Sequence, residues 1–249
     1  MRGRLVRRYK RFLADVELDT GEVVTAHCAN PGSMMGLVEA GTCVWLSHSP
    51  SPHRKLAYSW ELLEVDLGCG PAFVGINTGH PNGIVAEALA EGMIEELAGY
   101  ETIRREVPYG TRSRVDFLLE GGGGPPCYVE VKNVHLMRQP GLAEFPDSVT
   151  ARGARHLEEL AAMAENGARA VMLFLVQRTD ADRLALAADI DPVYAATFAQ
   201  ARRRGVETLV YCCKIDPEGI HLSHPLPMVE AAPEPVRARF GLVDVMERQ

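Results

Sequence analysis

Residues 114–132 read RVDFLLEGGGGPPCYVEVK, in which two apolar runs flank a segment of glycines and prolines. Short runs rich in β-branched and aromatic residues, separated by turn residues, are typical of a β-hairpin. Because strand side chains alternate between two faces, Val129 and Val131 point to one face while Glu130 and Lys132 point to the other. The sequence therefore predicts a hairpin that carries an acid and a base side by side.

The turn suggests how the two strands of this hairpin are paired. If they close symmetrically about Gly123, residues whose numbers sum to 246 lie opposite each other, which pairs Asp116 with Glu130. Two carboxylates and the Lys132 ammonium then share one sheet face, a costly arrangement unless a cation neutralises the acids. The alternative is a cross-strand ion pair on the surface, which is common and adds little stability.

The predicted arrangement of acids has a chemical use. Hard oxygen ligands suit Mg²⁺ or Mn²⁺ better than softer metals, so we predict a metal site made by Asp116, Glu130 and the backbone carbonyl of Val131. A cation bound there lowers the pKa of water and stabilises charge on a reacting phosphate group. Lys132 would position the attacking water or offset the phosphate charge. Asp116, Glu130 and Lys132 are thus candidate catalytic residues.

The composition indicates a globular, water-soluble protein. The 249 residues suit two domains, 47% of them are hydrophobic, and no apolar run reaches the 18 residues that suggest a membrane span. The basic start MRGRLVRRYKR lacks the apolar core of a signal peptide, and the six cysteines form neither a CxxC pair nor a zinc pattern. We expect a cytoplasmic protein with reduced cysteines, no membrane contact and no obligate protein partner.

The charge of the first residues differs from that of the whole chain. A net charge of −7 argues mildly against nucleic acid as a partner. However, six basic residues and no acid lie between residues 2 and 11, with Tyr9 and Phe12 interleaved. We predict that this segment binds DNA phosphates, with the side chains of Arg4, Arg7, Arg8, Lys10 and Arg11. A frayed, solvated basic terminus is the alternative.

Residues 1–79 are predicted to form a small β-barrel. The strand candidates, separated by turn residues, are Arg4–Leu18, Glu22–Ala29, Thr42–Ser47, Leu56–Val65 and Ala72–Ile76. Barrels of this size include the OB-fold, whose exposed face often stacks nucleic-acid bases on aromatic rings. Tyr58 and Trp60 share one strand face and are predicted to bind DNA in this way. The alternative is that these rings fill the barrel core.

Residues 80–249 are predicted to form an α/β domain around a central mixed sheet. Beside the hairpin, the pattern predicts the helices Ile84–Ala98 and Pro192–Arg204, and between them a helix that begins at Ser148 or Thr150 and ends at Asn166. It also predicts the buried strands Ala170–Val176 and Leu209–Ile215, a loop His135–Pro146, and a strap after Pro225. Glu87 lies at the flank of the apolar stripe of the first helix, and His156 on the packed side of the second. Taken alone, each is typical of an ordinary helix residue.

Short motifs extend over most of the chain. They are RYKRF at 8–12, NPGSM at 30–34, VGINT at 74–78, SRVDFL at 113–118, VEVKNV at 129–134, FPD at 145–147, TARG at 150–153 and HLxEL at 156–160. By these motifs the chain resembles the sugar fermentation stimulation protein A (SfsA) family. The resemblance implies an OB-like N-terminal domain, a PD-(D/E)xK nuclease-like C-terminal domain and DNA binding without marked sequence preference. It also implies a regulatory link to sugar (maltose) metabolism.

The resemblance adds two residues to the candidate catalytic set. In PD-(D/E)xK nucleases a helix-borne Glu, the hairpin Asp and the Glu-x-Lys converge on one metal site, and Glu87 matches the first of these. A helix with an inward Arg and His follows the hairpin, and this adds His156. One departure is the loop 121–126, which is longer than the tight turn usual there.

Two functions follow from these patterns and the resemblance. The first is a DNA-binding protein that keeps the nuclease fold as a scaffold. The second is a DNA endonuclease that uses Mg²⁺ or Mn²⁺ with Asp116, Glu130 and Lys132.

Overall fold

Six strands build the N-terminal part of the protein. In the computed structural model, which describes residues 1–66, 70–110 and 113–230, they are β1 (Arg2–Tyr9), β2 (Leu13–Leu18), β3 (Val23–His27), β4 (Cys43–His48), β5 (Tyr58–Asp66) and β6 (Pro71–Gly75). Their order is β3-β2-β1-β4-β5-β6, and a parallel pairing of β3 with β5 closes the first five strands into a barrel. The predicted OB-like barrel is confirmed.

The barrel core follows from strand alternation. In β2 the residues Ala14, Val16 and Leu18 are buried, while the residues between them are more exposed. The structure corrects one element: the predicted strand Arg4–Leu18 is two strands, β1 and β2, which are joined by residues 10–12. Lys10 and Arg11 take positive φ angles of 49° and 62°, and these angles help to reverse the chain without the glycine or asparagine that usually marks such a turn.

The second part of the chain is an α/β domain around a mixed sheet. Its elements are α1 (Pro81–Ala90), a 3₁₀ turn (Glu95–Leu97), β7 (Thr102–Tyr109), β8 (Ser113–Glu120), β9 (Cys127–Val134), β10 (Leu136–Gln139), β11 (Gly141–Phe145), α2 (Ala151–Glu165), β12 (Arg169–Val176), β13 (Ala181–Leu186), α3 (Pro192–Arg203), β14 (Glu207–Asp216) and β15 (Gly219–Pro225). The central sheet has the order β15-β14-β12-β9-β8-β7, with β9, β12 and β14 parallel and the other neighbours antiparallel. A smaller sheet has the order β10-β11-β13.

The central sheet is covered on both faces. One core joins it to α2 and α3 through residues such as Leu157, Leu160 and Phe198. The other joins it to α1, and there Leu62 of the barrel packs into the same apolar cluster as Ile84. The site described below depends on this division, because side chains on opposite faces of the sheet cannot meet.

Three predicted segments differ from the structure. The helix predicted over Ile84–Ala98 ends at Ala90, and Gly92 follows with a φ of 70°, an angle that helical residues do not adopt. The predicted loop His135–Pro146 contains strands β10 and β11. Of the predicted strap, the part that the structure describes pairs with β13, where Val229 donates a backbone hydrogen bond to Leu184. Residues 231–249 lie outside the described residues.

Several hydrogen bonds connect the barrel to the α/β domain. The backbone nitrogen of Gly75 donates to the carbonyl of Gln177 at 3.0 Å, and that of Thr179 donates to Phe73 at 3.1 Å. On another side, Ser33 Oγ donates to the backbone oxygen of Asp147 at 2.9 Å. Within the described ranges, no helix is both long and apolar enough to span a bilayer.

Candidate active site

Strands β8 and β9 pair in the register expected for a loop centred on Gly123, but the ladder of described pairs ends at Phe117, and the predicted pair of Asp116 with Glu130 is not part of it. The opposed residues have numbers that sum to 246, namely Phe117 with Val129, Leu118 with Tyr128 and Leu119 with Cys127. Val129 and Val131 lie in the core shared with α1. Glu130 and Lys132 face α2 instead, where both contact His156. The alternation predicted from the sequence is therefore confirmed, with the charged side chains on the α2 face.

Strand β8 changes its regular alternation at Asp116. Val115 packs in the core beneath α2, but Phe117, two residues later, packs in the core beneath α1. Opposite Asp116, between the paired residues of β7, Glu106 has a φ of 53°, which is unusual for a residue other than glycine. This irregularity coincides with the position of the candidate ligand.

Two hydrogen bonds fix the Asp116 carboxylate. Its Oδ2 accepts from the backbone nitrogen of Val131 at 2.7 Å, and its Oδ1 accepts from Asn82 Nδ2, also at 2.7 Å. Asn82 is the second residue of α1, which begins with Pro81 at the favoured first position. The acid is thus held between its hairpin partner and the start of α1, and each oxygen keeps a lone pair for a further partner.

Glu130 is the most enclosed charge of the site, with 4% of its side chain exposed. Its Oε1 accepts from Lys132 Nζ at 2.8 Å and from His156 Nδ1. Arg152 Nε donates to His156 Nε2 at 3.2 Å, so this nitrogen is an acceptor and the imidazole proton lies on Nδ1. The second carboxylate oxygen of Glu130, Oε2, is buried and has no hydrogen-bond partner.

The two carboxylates respond differently to their surroundings. Burial raises the pKa of Asp116, and the nearby charge of Glu130 raises it further, against the hydrogen bonds from Val131 and Asn82. Burial also acts to raise the pKa of Glu130, but the hydrogen bond from His156 and the charge of Lys132 outweigh it and hold that pKa below its usual value. Glu130 is the more strongly ionised acid, and Asp116 retains a proton more readily.

These residues line an open cleft of about 450 Å³. Its walls come from the domain junction, β7, the hairpin and α2, and they comprise Thr78, Gly79, Pro81, Asn82, Arg105, Glu106, Asp116, Glu130, Val131, Lys132, Asn133, Arg152 and His156. Arg105 of β7 and Arg152 of α2 are exposed cations that line the cleft. The cleft therefore combines the buried Glu130 and the half-buried Asp116 with arginine side chains that are open to solvent.

The structure brings Asp116, Glu130, Val131, Lys132 and His156 together in the cleft, but not Glu87. The Glu87 side chain is 52% exposed and lies 3.9 Å from His221 Nδ1. Its helix packs on the sheet face of Val129 and Val131, opposite the face that carries Glu130. The first helix instead contributes Asn82.

Sequence reasoning did not identify eight cleft residues as site residues. They are Thr78, Gly79, Pro81, Asn82, Arg105, Glu106, Asn133 and Arg152. For Arg152 a signal exists, because it precedes His156 by four residues and such residues are neighbours on a helix surface. Asn82 directly follows Pro81, which marks a helix start, but nothing in the sequence connects its side chain to Asp116.

The basic residues predicted to bind DNA differ in whether their side chains already have hydrogen-bond or ion-pair partners. Arg7 Nε donates to Asp15 Oδ2 at 2.8 Å, and Arg4 donates to the carbonyl of Gly41 at 2.9 Å. Arg8 donates to the backbone oxygens of the 30–32 loop. Lys10 and Arg11 are exposed, and no side-chain hydrogen bond or ion pair engages them within the described part of the chain. These two cations are the most available for an external anion.

The two aromatic residues predicted to stack on bases occupy different environments. Trp60 is 0% exposed and lies in the barrel core, where its ring nitrogen donates to the carbonyl of Leu62 at 3.1 Å. This corrects the expectation for Trp60, since a base cannot reach its ring, and the core alternative holds. Tyr58 is half-buried, and its ring lies 5.2 Å from that of His48.

The cleft residues fit a divalent cation of the Mg²⁺ type. Among the residues that the structure describes, no group of three or more His, Cys, Asp or Glu side chains is arranged to hold a metal ion. Mg²⁺, however, usually keeps several waters and needs only one or two carboxylates. The buried, unpartnered Oε2 of Glu130 beside Asp116 supplies such a donor set.

Two family models together match most of the chain. One, described as the SfsA N-terminal OB domain, matches residues 6–76, and the other, the sugar fermentation stimulation protein RE domain, matches residues 79–219. The chain belongs to the SfsA family. Family relatives include the sugar fermentation stimulation protein homologs of Methylobacterium nodulans, 57% identical over 92% of this chain and 96% of the relative, and of Azorhizobium caulinodans, 56% identical over 91% and 95%.

A solved structure from the same family has the same fold. It is the structure of Pyrococcus furiosus SfsA in complex with Ca²⁺, which matches with a TM-score of 0.81 and 25% sequence identity over 92% of this chain and 95% of that one. The likeness extends over both domains. The C-terminal domain thus has the nuclease-like fold that the sequence predicted.

Proposed function

We propose that this SfsA-family protein binds a divalent cation between Asp116 and Glu130 and hydrolyses phosphodiester bonds of DNA there. The observation that carries the proposal is the buried Oε2 of Glu130, which has no partner although its carboxylate is ionised. An ionised oxygen without a donor is costly in a buried site, and a cation removes that cost. The Pyrococcus furiosus relative was solved in complex with Ca²⁺, which supports cation binding by this chain.

Asp116, Glu130 and the carbonyl of Val131 would hold Mg²⁺ or Mn²⁺ in this scheme. Such an ion, when bound, lowers the pKa of water and offsets negative charge on a phosphate. The protein's part is to keep the oxygen ligands fixed. For Asp116 this is done by the donors Val131 and Asn82.

Lys132 is the residue placed to act on the reacting phosphate. Its ammonium has three donors, and one is used on Glu130 Oε1 at 2.8 Å. The side chain lines the cleft and is 14% exposed, so a remaining N–H can reach a phosphate oxygen or an attacking water. A donor held in place in this way stabilises the charge that develops in the transition state.

His156 and Arg152 have supporting roles. The Nδ1–H group of His156 donates a hydrogen bond to Glu130, and this bond helps keep the Glu130 carboxylate ionised. Arg152 holds the imidazole through Nε2, and the guanidinium keeps further donors for a phosphate. Arg105, which also lines the cleft, adds a second exposed cation.

Cleavage assays on single-stranded, duplex and flapped DNA test the proposal. With Mg²⁺ or Mn²⁺ the wild-type protein should cut at least one of these, and Glu130→Gln should lower the rate by at least about 10²-fold because a cation ligand is lost. Glu207→Gln is the matched control, since Glu207 pairs with Arg169 on the surface. If wild-type protein leaves all three DNA substrates intact with Mg²⁺ and also with Mn²⁺, the proposed hydrolysis is contradicted.

A second candidate is a DNA-binding protein with the nuclease-like domain as scaffold and a regulatory role in sugar (maltose) metabolism. The observation favouring it is that the Lys132 ammonium already offsets the charge of Glu130 without a cation, and that His156 donates a further hydrogen bond to the same oxygen. Binding of all the test DNAs without cleavage would select this candidate.

A further inference from the structure

The loop between β1 and β2 presents an aromatic ring and two cations to solvent. We call its residues Lys10, Arg11 and Phe12 the basic tip. Phe12 is 46% exposed, and its ring stacks on that of His27, with centroids 6.4 Å apart and planes 20° apart. An exposed phenylalanine held in a fixed orientation by a neighbouring ring offers a flat apolar face.

The backbone of the basic tip is strained. Lys10 and Arg11 have φ angles of 49° and 62°, in the left-handed region that long side chains rarely adopt. Two hydrogen bonds stabilise this conformation. Arg8 Nε donates to the Arg11 carbonyl at 3.1 Å, and the backbone nitrogen of Cys28 donates to the Phe12 carbonyl at 2.9 Å. Strain of this kind is concentrated at binding and catalytic sites.

The charges of the basic tip are available to a ligand. As noted above, the Lys10 and Arg11 side chains make no ion pair within the described residues, unlike Arg7, which pairs with Asp15. Unpaired cations beside an exposed ring are the combination by which proteins bind single-stranded nucleic acid, with cations on phosphates and the ring on a base.

The stacking pair also lies close to the cleft along the chain. His27 ends β3, and two residues later the Ala29 carbonyl accepts a hydrogen bond from Thr78 Oγ1. Thr78 lines the cleft. Because two residues span at most about 7 Å, His27 lies near this side of the cleft, and the backbone hydrogen bond from Cys28 to Phe12 joins the basic tip to the same segment.

We propose that Phe12 and His27 form a stacking site for an unpaired DNA base, with Lys10 and Arg11 on the adjacent phosphates and the strand continuing into the cleft. The inference rests on the proposed function and names its substrate class, single-stranded or flapped DNA. Bases inside a duplex are stacked on one another and expose no face to Phe12, so the site selects unpaired nucleotides.

The test compares Phe12→Leu with Phe12→Trp. Leucine keeps an apolar side chain and removes the ring, whereas tryptophan keeps a ring. Affinity for a labelled oligothymidine and for a labelled duplex is measured by fluorescence anisotropy in EDTA, which prevents cleavage. We expect Phe12→Leu to weaken oligothymidine binding about tenfold, within the range for loss of one stacked base, and to change duplex binding less than about twofold. Phe12→Trp should bind like wild type and show quenched fluorescence with oligothymidine.

Several outcomes overturn the inference. Unchanged oligothymidine affinity in Phe12→Leu, or equal losses on both DNA forms, contradicts base stacking while leaving DNA hydrolysis in the cleft intact. Wild-type protein that binds neither DNA contradicts both proposals. If wild-type protein cleaves DNA in the assays above but Phe12→Leu binds oligothymidine as wild type does, the stacking site is contradicted and the proposed hydrolysis stands. Matching melting temperatures of the variants establish that both are folded.

Discussion

The cleft and the basic tip are opposite in burial, charge and pairing. In the cleft, Glu130 is almost fully buried, and its Oε1 already has two donors before any substrate arrives. At the basic tip, Lys10 and Arg11 are exposed, and within the described residues their side chains have no partner. The acids of the cleft belong to the α/β domain, and the basic tip belongs to the barrel. Because the two groups of side chains differ in this way, we assign chemistry to the cleft residues and DNA attachment to the basic tip.

The physical consequence is a different response to salt. Charges at an exposed loop interact through water and are screened within about 10 Å at ordinary salt concentrations. Charges in a buried site interact more strongly and are screened less. We therefore expect salt to weaken DNA binding at the basic tip while leaving the ion pairs of the cleft largely unchanged.

Lys132→Ala gives the largest expected effect and separates the two regions. It removes a donor from the cleft but leaves the oxygen ligands and the basic tip unchanged. Cleavage measured in gels with Mg²⁺ should fall by at least about 10²-fold, the typical loss for one electrostatic stabiliser. DNA affinity, measured by anisotropy, should stay within about twofold of wild type.

The control for this variant is Lys214→Ala, which removes an exposed lysine of β14. It should cleave and bind like wild type. Equal cleavage by wild type and Lys132→Ala would identify the activity as a contaminant. A large loss of DNA affinity in Lys132→Ala would show that Lys132 also contributes to DNA binding, and would contradict the assignment of chemistry and DNA binding to separate side chains.

The double variant Lys10→Ala/Arg11→Ala tests the other half of the comparison. Loss of two phosphate contacts should lower the slope of log affinity against log salt for single-stranded DNA by about 1.4, at about 0.7 per phosphate. Cleavage at saturating DNA should not change, because the cleft is untouched. Arg7→Ala is the control, and it should change the slope less because Arg7 is already paired with Asp15. An unchanged slope in the double variant would place DNA elsewhere.

The pKa values of the two acids predict how cation binding depends on pH. Protons compete with the cation for Asp116, whose pKa is raised above 3.8, while the pKa of Glu130 is lowered. Affinity for Mn²⁺ should therefore fall as the pH is lowered toward the pKa of Asp116, and approach a tenfold loss per pH unit below it. Calorimetry at a series of pH values measures this, and a constant affinity down to about pH 4 would contradict the assignment of Asp116 as a ligand.

Asp116→Asn gives the smallest expected effect, and it is one of stability. A raised folded-state pKa means that the proton-linked stability is present below the unfolded pKa and is lost as the pH rises through the folded pKa. Asn removes the charge and keeps both contacts when the Asn82 amide turns over, because its Oδ1 accepts from Val131 and its Nδ2 donates to Asn82 Oδ1. At neutral pH without divalent cations, the melting temperature should therefore rise by about 2 °C, the shift that a small stability change gives in a chain of this length. Asp182→Asn, at an exposed surface pair, should give no such gain. A lower melting temperature for Asp116→Asn would contradict the cost of burying this acid.

The hairpin could be predicted from the sequence because its information is local. Alternating valines define the buried face of β9, and a loop centred on Gly123 defines the register that pairs Phe117 with Val129. The contact between Arg152 and His156 follows from helical spacing in the same way. Such patterns persist in the folded protein because they depend on neighbours in sequence.

Other parts depend on tertiary packing and could not be predicted from the sequence. The distance between Glu87 and the hairpin depends on which sheet face α1 covers. For Trp60, the inward side of β5 depends on an irregular pairing with β4 near Trp45, which shifts the alternation. The β1–β2 turn was missed because Lys10 and Arg11 occupy positions where glycine or asparagine is usual.

Calorimetric titration of Mn²⁺ tests the central claim most directly, since chemistry in the cleft depends on a cation between Asp116 and Glu130. Wild-type protein and the surface control Glu207→Gln should each give a binding isotherm for one site, and Glu130→Gln should give only the heat of dilution. Equal binding heats in wild type and Glu130→Gln would contradict the account, because the cation would then lie outside the cleft.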